Sequence, residues 1–181
     1  MEVELLNADA KVTFTPYLDS GITNEDSNWD DKFWNTTKVD YRENSAYIEA
    51  HTMKTNFSTC TFMEAYVMYN GATTLEPKLD KKTDSFVGLE FDQNVSRGEK
   101  ITLIKFGGYT VSRNHDASEL VKVANNVLEE ATSIGFEGLL QKQREAWAKI
   151  WEMSDIEIEG DVKAQQGIRF NIFQLNQTYL G

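Results

Sequence analysis

The period of the apolar side chains changes once along this chain, near Arg113. Before that point apolar residues alternate: Val12 and Phe14 with Lys11, Thr13 and Thr15, and Val87, Leu89 and Phe91 with Phe86, Gly88 and Glu90. A period of two rich in β-branched and aromatic residues is the pattern of half-buried strands. The stretches SAYIEAHTM and STCTFMEAYVMYN continue it. In the second both parities are apolar, as in a strand covered on both faces. In KITLIKFGGYTVSR the apolar parity shifts between Leu103 and Ile104, and Gly107-Gly108 follows, which predicts a bulge or a close backbone approach. From Asn70 to Asp84 the chain reads as a polar, turn-rich loop.

After Arg113 the period becomes helical. Asp116 or Ser118 offers an N-cap, Leu120, Ala124, Val127, Leu128 and Ala131 share one face, and Gly135 ends the helix. A second helix stacks Phe136, Leu139, Leu140, Trp147, Ile150 and Trp151. Trp147 and Trp151 sit one turn apart on that stripe and read as core, with a sugar platform as the alternative. From Ala164 to Gly181 the single charge is Arg169; Ile168, Ile172, Leu175 and Tyr179 form one apolar stripe, and Phe170 and Phe173 add a second. A helix apolar over so much of its circumference needs cover on several sides, from a larger helical assembly or from a second copy. Arg169 itself is expected to be partly exposed or paired nearby, with Asp155 or Glu157. The fold class that follows is mainly β with C-terminal helices, two of them after Arg113 and a terminal one.

Length and charge narrow the partners. A chain of 181 residues supports one domain with its own core. Its formal net charge of -11 sets it against nucleic acid and anionic bilayers, and no apolar run approaches the roughly 18 residues of a membrane span. Cys60 is the only cysteine, which rules out an intrachain disulfide and a cysteine-based zinc site. The segment MEVELLNADAK has neither a basic region nor a continuous apolar run, so a cytoplasmic protein is expected, or one whose natural start lies elsewhere.

The densest acidic group is NEDSNWDDKFW, where Glu25, Asp26, Asp30 and Asp31 stand beside Trp29 and Trp34. Carboxylates among aromatics are the materials of glycoside chemistry and sugar stacking, yet adjacent acids do not by themselves flank a bond from opposite faces. The segment reads either as a solvated acidic loop anchored by its tryptophans or as a loop bordering a sugar pocket. Asp26, Asn28 and Asp30 imitate the start of a calcium loop, but Asp31 stands at the glycine position and Thr37 where the bidentate Glu belongs. His51 and His115 lack partners at ligand spacing, so no metal is expected.

Two ungapped blocks carry a resemblance: AWAKIWEMSDIEIEGDVKAQQGIRFNIFQLNQTY (Ala146 to Tyr179) and FTPYLDSGITNEDSNWDDKFW (Phe14 to Trp34). They resemble glycoside hydrolase family 65, the maltose, trehalose and kojibiose phosphorylases, the second block looking most like the maltose phosphorylase branch. The resemblance implies a β-sandwich part over residues 1–113, linker helices over 114–160, and over 161–181 the start of a catalytic (α/α)6 barrel that otherwise lies outside this sequence. It also implies that the family's catalytic residues lie in that barrel, so none is carried over here. Glu25, Asp26, Trp29 and Trp34 would border the sugar site, and Arg169, Phe170 and Phe173 would face the barrel. The implied partners are the barrel, inorganic phosphate, an α-glucoside disaccharide and a possible homodimer; the implied cofactor is none. Two other readings fit the same residues, a stand-alone carbohydrate-binding module and a dimerising structural fragment.

Overall fold

The computed structural model describes residues 1–23, 32–73 and 76–179, Tyr179 by its backbone only. Among the described residues ten strands precede two helices: β1 (Glu2–Glu4), β2 (Ala10–Phe14), β3 (Tyr17–Asp19), β4 (Trp34–Arg42), β5 (Ser45–Thr52), β6 (Ser58–Tyr69), β7 (Ala72–Thr73), β8 (Lys78–Lys82), β9 (Phe86–Val95), β10 (Lys100–Val111), α1 (Leu120–Ser154) and α2 (Val162–Tyr179). A short 3₁₀ turn, Ala117–Glu119, leads into α1. The chain divides into two compact units, Met1–Ser133 and Ile134–Gly181.

In the first unit all strand pairs are antiparallel. The larger sheet runs β1-β10-β6-β5-β4, with β7 added beside β6. The smaller sheet is built on β9, with β2 and β3 end to end along one edge and β8 along the other. β2 and β3 break apart at Pro16, which has no N–H to donate, while its carbonyl still accepts from the Leu89 amide at 3.0 Å.

The larger sheet is covered on both faces, each by a different element. Its inner face sends Ala46, Ile48, Met63, Ala65, Val67 and Ile101 into one buried cluster with Phe14, Leu18, Val87, Leu89, Phe91 and Val95 of the smaller sheet. Its outer face buries Cys60, Phe62, Phe106 and Thr110, and here the cover is the first part of α1, where Leu120, Ala124 and Leu128 are buried. Thr110 Oγ1 donates to the Leu120 carbonyl at 3.0 Å and fixes the start of that helix to β10. Burial pushes the Cys60 thiol up to about 12, so it stays protonated and inert. Val127, expected on the apolar face, is exposed because it falls at the edge of the buried arc.

Three further expectations change. No bulge interrupts β10, which pairs with β6 in continuous register from Ile101 to Val111. The parity shift instead records a change of cover: Ile101 and Leu103 face the smaller sheet, whereas Phe106 and Thr110 face the helix. The close approach is present, since a Cβ on Gly108 would lie 3.0 Å from Cζ of Phe62. The segment read as a loop from Asn70 to Asp84 contains β7 and β8, whose side chains are all exposed, so their pairing left no apolar period to read.

The second unit begins where α1 breaks. Gly135 takes φ 74 and ψ 170, a left-handed conformation that ends one helix and starts the next at Phe136, as the sequence predicts. Leu139, Leu140, Trp147, Ile150 and Trp151 are half-buried, while Phe136 is exposed. Asp161 caps α2, its Oδ1 accepting from the Lys163 and Ala164 amides at 3.0 Å each.

The Phe62 ring is 4% exposed and has little room to move away from β10. Gly108→Val is expected to cost about 1–3 kcal/mol through overpacking against it. Urea unfolding should show a lower midpoint with an unchanged slope; an unchanged midpoint would refute the close approach.

Candidate functional site

The first unit opens at one end. The smaller sheet ends at Asp19 on β3 and Phe86 on β9, whereas β4, β5, β6 and β10 carry the larger sheet further. The inner face of that extension, from Trp34, Ala50, Thr59, Tyr109 and Val111, lines a cleft of about 600 Å3. The register explains the grouping, because Thr59 lies opposite both Val111 and Ala50, and Thr61 opposite Tyr109, placing these side chains on one face. Asp19 and Ser20 form one rim; Ser20 Oγ shares a hydrogen bond of 2.7 Å with Thr36 Oγ1, tying the end of β3 to β4. Arg113 and Asn114 form the opposite rim, just after β10.

Trp34 therefore stands in a cleft. Glu25, Asp26 and Trp29 lie outside the described residues, as do Asp30 and Asp31. The neighbours of that segment in the sequence, Ile22 and Trp34, both line the cleft. Tyr109 and Arg113 are further cleft residues with no local sequence signal, since strand register sets them beside Trp34.

A second, more polar cleft of about 530 Å3 lies between the β4–β5 turn and the first part of α1. Glu64 faces it, with its carboxyl raised above the ordinary range by burial first and by Glu129 second. The Asn44 amide donates to Glu64 Oε1 at 3.4 Å. Asp40, Glu43 and Glu129 share the lining, so the cleft is acidic. Among the described residues no group of three or more His, Cys, Asp and Glu side chains is placed to hold a metal ion. His51 Nε2 sits 3.4 Å from Asn35 Nδ2, and among the described residues no helix is long and apolar enough to cross a membrane.

In the second unit Arg169 makes a two-pronged contact with Asp155, Nε to Oδ1 at 2.8 Å and Nη2 to Oδ2 at 2.5 Å. It is thus partly exposed and paired with one of the two acids expected. Hydrogen bonding from Arg169 foremost holds the Asp155 carboxyl below its usual value. Gln165 completes the clasp: its Oε1 accepts from the Ile158 amide at 2.6 Å and its Nε2 donates to the Ile156 carbonyl at 2.8 Å. Trp147 packs on Phe173 with ring centroids 4.9 Å apart, and on Trp151 at 6.0 Å. Ile172 is buried, whereas Phe170 and Leu175 remain 58% and 59% exposed. α2 thus has one side packed within its unit, while Phe170 and Leu175, about 140° apart around the helix, each leave apolar area in water.

A carboxyl whose folded pKa is depressed stabilises fully above its unfolded value and loses that contribution as pH falls through the folded one. The 155–165 clasp should therefore loosen on acidification from the ordinary aspartate range downward. Arg169→Met should reproduce the loosening at neutral pH, raising exchange of the Ile156 and Ile158 amides by roughly two- to fivefold, as suits a surface pair. Exchange identical to the parent chain would show that the pair holds nothing.

Comparison with known proteins places these features. Residues 1–150 match the family profile described as Glycosyl hydrolase family 65, N-terminal domain. The maltose phosphorylase of Bacillus subtilis (strain 168) is 35% identical over 180 residues, covering 99% of this chain and 23% of that protein. The α,α-trehalose phosphorylase of Thermoanaerobacter brockii is 30% identical over 181 residues, covering 96% of this chain and 23% of that protein. A solved structure titled as a putative kojibiose phosphorylase from human microbiome shares the fold, with a TM-score of 0.81 at 24% identity over 96% of this chain and 22% of that one. The chain thus spans about a quarter of the length of these relatives.

Proposed function

Because this chain belongs to the family of glycosyl hydrolase family 65 N-terminal domains, we propose that it is the non-catalytic sandwich and linker region of a disaccharide phosphorylase. In its full-length form that enzyme would cleave maltose or a related α-glucoside with inorganic phosphate, giving β-glucose 1-phosphate and glucose. The observation that carries this reading is the apolar area that α2 leaves in water, Phe170 at 58% and Leu175 at 59% exposed, in a chain that covers 23% of a maltose phosphorylase. Apolar area of that kind on a helix is ordinarily hidden by neighbours.

In this reading residues 1–113 form the sandwich part, 114–160 the linker and 161–181 the first element of the catalytic barrel. Phe170 and Phe173 pack against the barrel beside Arg169, and the segment holding Glu25, Asp26 and Trp29, with Trp34 at its end, borders the sugar site. The barrel supplies the chemistry. An inverting phosphorolysis needs one carboxylic acid to protonate the glycosidic oxygen while phosphate attacks the anomeric carbon from the opposite face. Phosphate replaces the base-activated water of an inverting hydrolase, so a single general acid suffices and no organic cofactor enters. A cytoplasmic location goes with this reading, since both phosphate and the sugar phosphate product are intracellular metabolites.

A second reading has the same face covered by a second copy. Light scattering separates the two, because a concentration-dependent mass abolished by polar replacement of the exposed Phe170 and Leu175 favours self-association.

The test is a chimera in which this chain replaces the corresponding segment of the Bacillus subtilis maltose phosphorylase. It is expected to release glucose 1-phosphate from maltose in a phosphate-dependent manner, while this chain alone releases none. Phe170→Asp with Phe173→Asp should lower the chimera's activity or soluble yield by about tenfold or more, as loss of a buried aromatic contact implies. Phosphorolysis by the chain alone, or a chimera indifferent to both substitutions, would overturn the proposal.

A further inference from the structure

We propose that the cleft at the open end of the sandwich binds a pyranose ring of an α-linked gluco-oligosaccharide. That the ligand is a neutral pyranoside follows from the cleft itself; that it is α-linked glucose rests on the function proposed above.

The occupant is selected by three features. The first is the floor. Trp34, Phe57 and Tyr109 all line the cleft, and Tyr109 is 74% exposed although it lies within the span of a paired strand. An aromatic face carries partial negative charge and suits the row of C–H bonds on one side of a pyranose. The second is the rim. The side chains of Thr61, Arg113 and Asn114 and the Tyr109 hydroxyl make no hydrogen bond or ion pair within the described residues, leaving fork-shaped donors and an amide beside the aromatic floor. Planar polar groups next to a flat apolar surface match a ring that is apolar on its face and hydroxylated around its edge. The third is charge. A chain at -11 repels anionic occupants and leaves a neutral polyol unopposed. The volume of about 600 Å3 also lies within the range of ligand sites.

Every part of the cleft belongs to the first unit, so its binding is testable on the chain as it stands. Nitrogen-edited NMR titration with maltotriose, to about 20 mM so that weak binding registers, should shift the Trp34 indole and the Tyr109, Arg113 and Asn114 amides together. Tyr109→Ala removes an exposed side chain and should leave the melting temperature unchanged while weakening binding about tenfold. Arg113→Met should weaken it also. Absence of shifts, shifts confined to residues outside the cleft, or affinity indifferent to both substitutions would overturn the site. Equal shifts from maltotriose and cellotriose would overturn the α-glucoside assignment and leave the pyranoside site standing. None of these outcomes bears on glucose 1-phosphate release by the chimera, so failure of the cleft and failure of the proposed function are separable.

Discussion

A sheet has two faces, and in this chain the larger sheet hides each of them with a different partner. β6, at its centre, sends Met63, Ala65 and Val67 to one side and Cys60 and Phe62 to the other, all of them buried. Every boundary in the first unit follows from how far each cover reaches. The smaller sheet shields the inner face up to Asp19 and Phe86; the first part of α1 shields the outer face around Thr110 and Phe62. Where the smaller sheet stops, the inner face is open, and the cleft of Trp34 and Tyr109 is that opening. The cleft is therefore a consequence of two covers of unequal reach. Gly108 lies opposite Phe62 on β10, where only a residue without a side chain lets the ring settle under the helix.

The second unit obeys a different constraint. Its two helical segments are short of core, so the connection between them is held by polar clips: Arg169 on Asp155, Gln165 across the Ile156–Ile158 backbone, Asp161 on the α2 amides. Such contacts set direction more than they stabilise, since exposed ion pairs contribute little. The result is an α2 held in a defined direction with Phe170 and Leu175 outward. This helix buries Ile172 and packs Phe173 on Trp147, yet keeps the Phe170 ring largely in water.

How much of this was legible depended on whether burial left a period. The strands that bury one or both faces, β2, β5, β6, β9 and β10, stood out as alternating runs, and Gly135 announced the helix break. Strands that pair mainly through backbone left nothing to see: β8 reads Lys-Leu-Asp-Lys-Lys and stays exposed. β4 was hidden for another reason. Its inward residues are Trp34 and Thr36, then Val39 and Tyr41, and the irregularity between Thr36 and Lys38 inserts one residue that breaks the period of two. For the same reason Trp34 could be recognised as an aromatic of interest without its neighbours Tyr109 and Arg113, which only the β6–β10 register brings alongside. The resemblance of two blocks to family 65 supplied what periodicity could not, the family whose N-terminal domain residues 1–150 match.

The carboxylates that the fold perturbs divide by the charge state their surroundings favour. A general acid for glycosidic cleavage must hold its proton near neutrality, which requires a raised pKa. Asp92 is held down to about 2 by Lys11 first and by Thr13, and Asp155 is lowered by Arg169; both are committed to the charged state. Of the carboxylates whose titration the fold shifts among the described residues, Glu64 alone moves upward, through burial beside Glu129. Its cleft nevertheless opposes the reaction, because phosphate must approach as an anion and the lining presents Asp40, Glu43 and Glu129. Proton donor and nucleophile thus make contrary demands on this cleft, which meets the first in part and resists the second. Under the function proposed above, the acid and the phosphate site come from the barrel, and the area that α2 leaves exposed at Phe170 is where that barrel would attach.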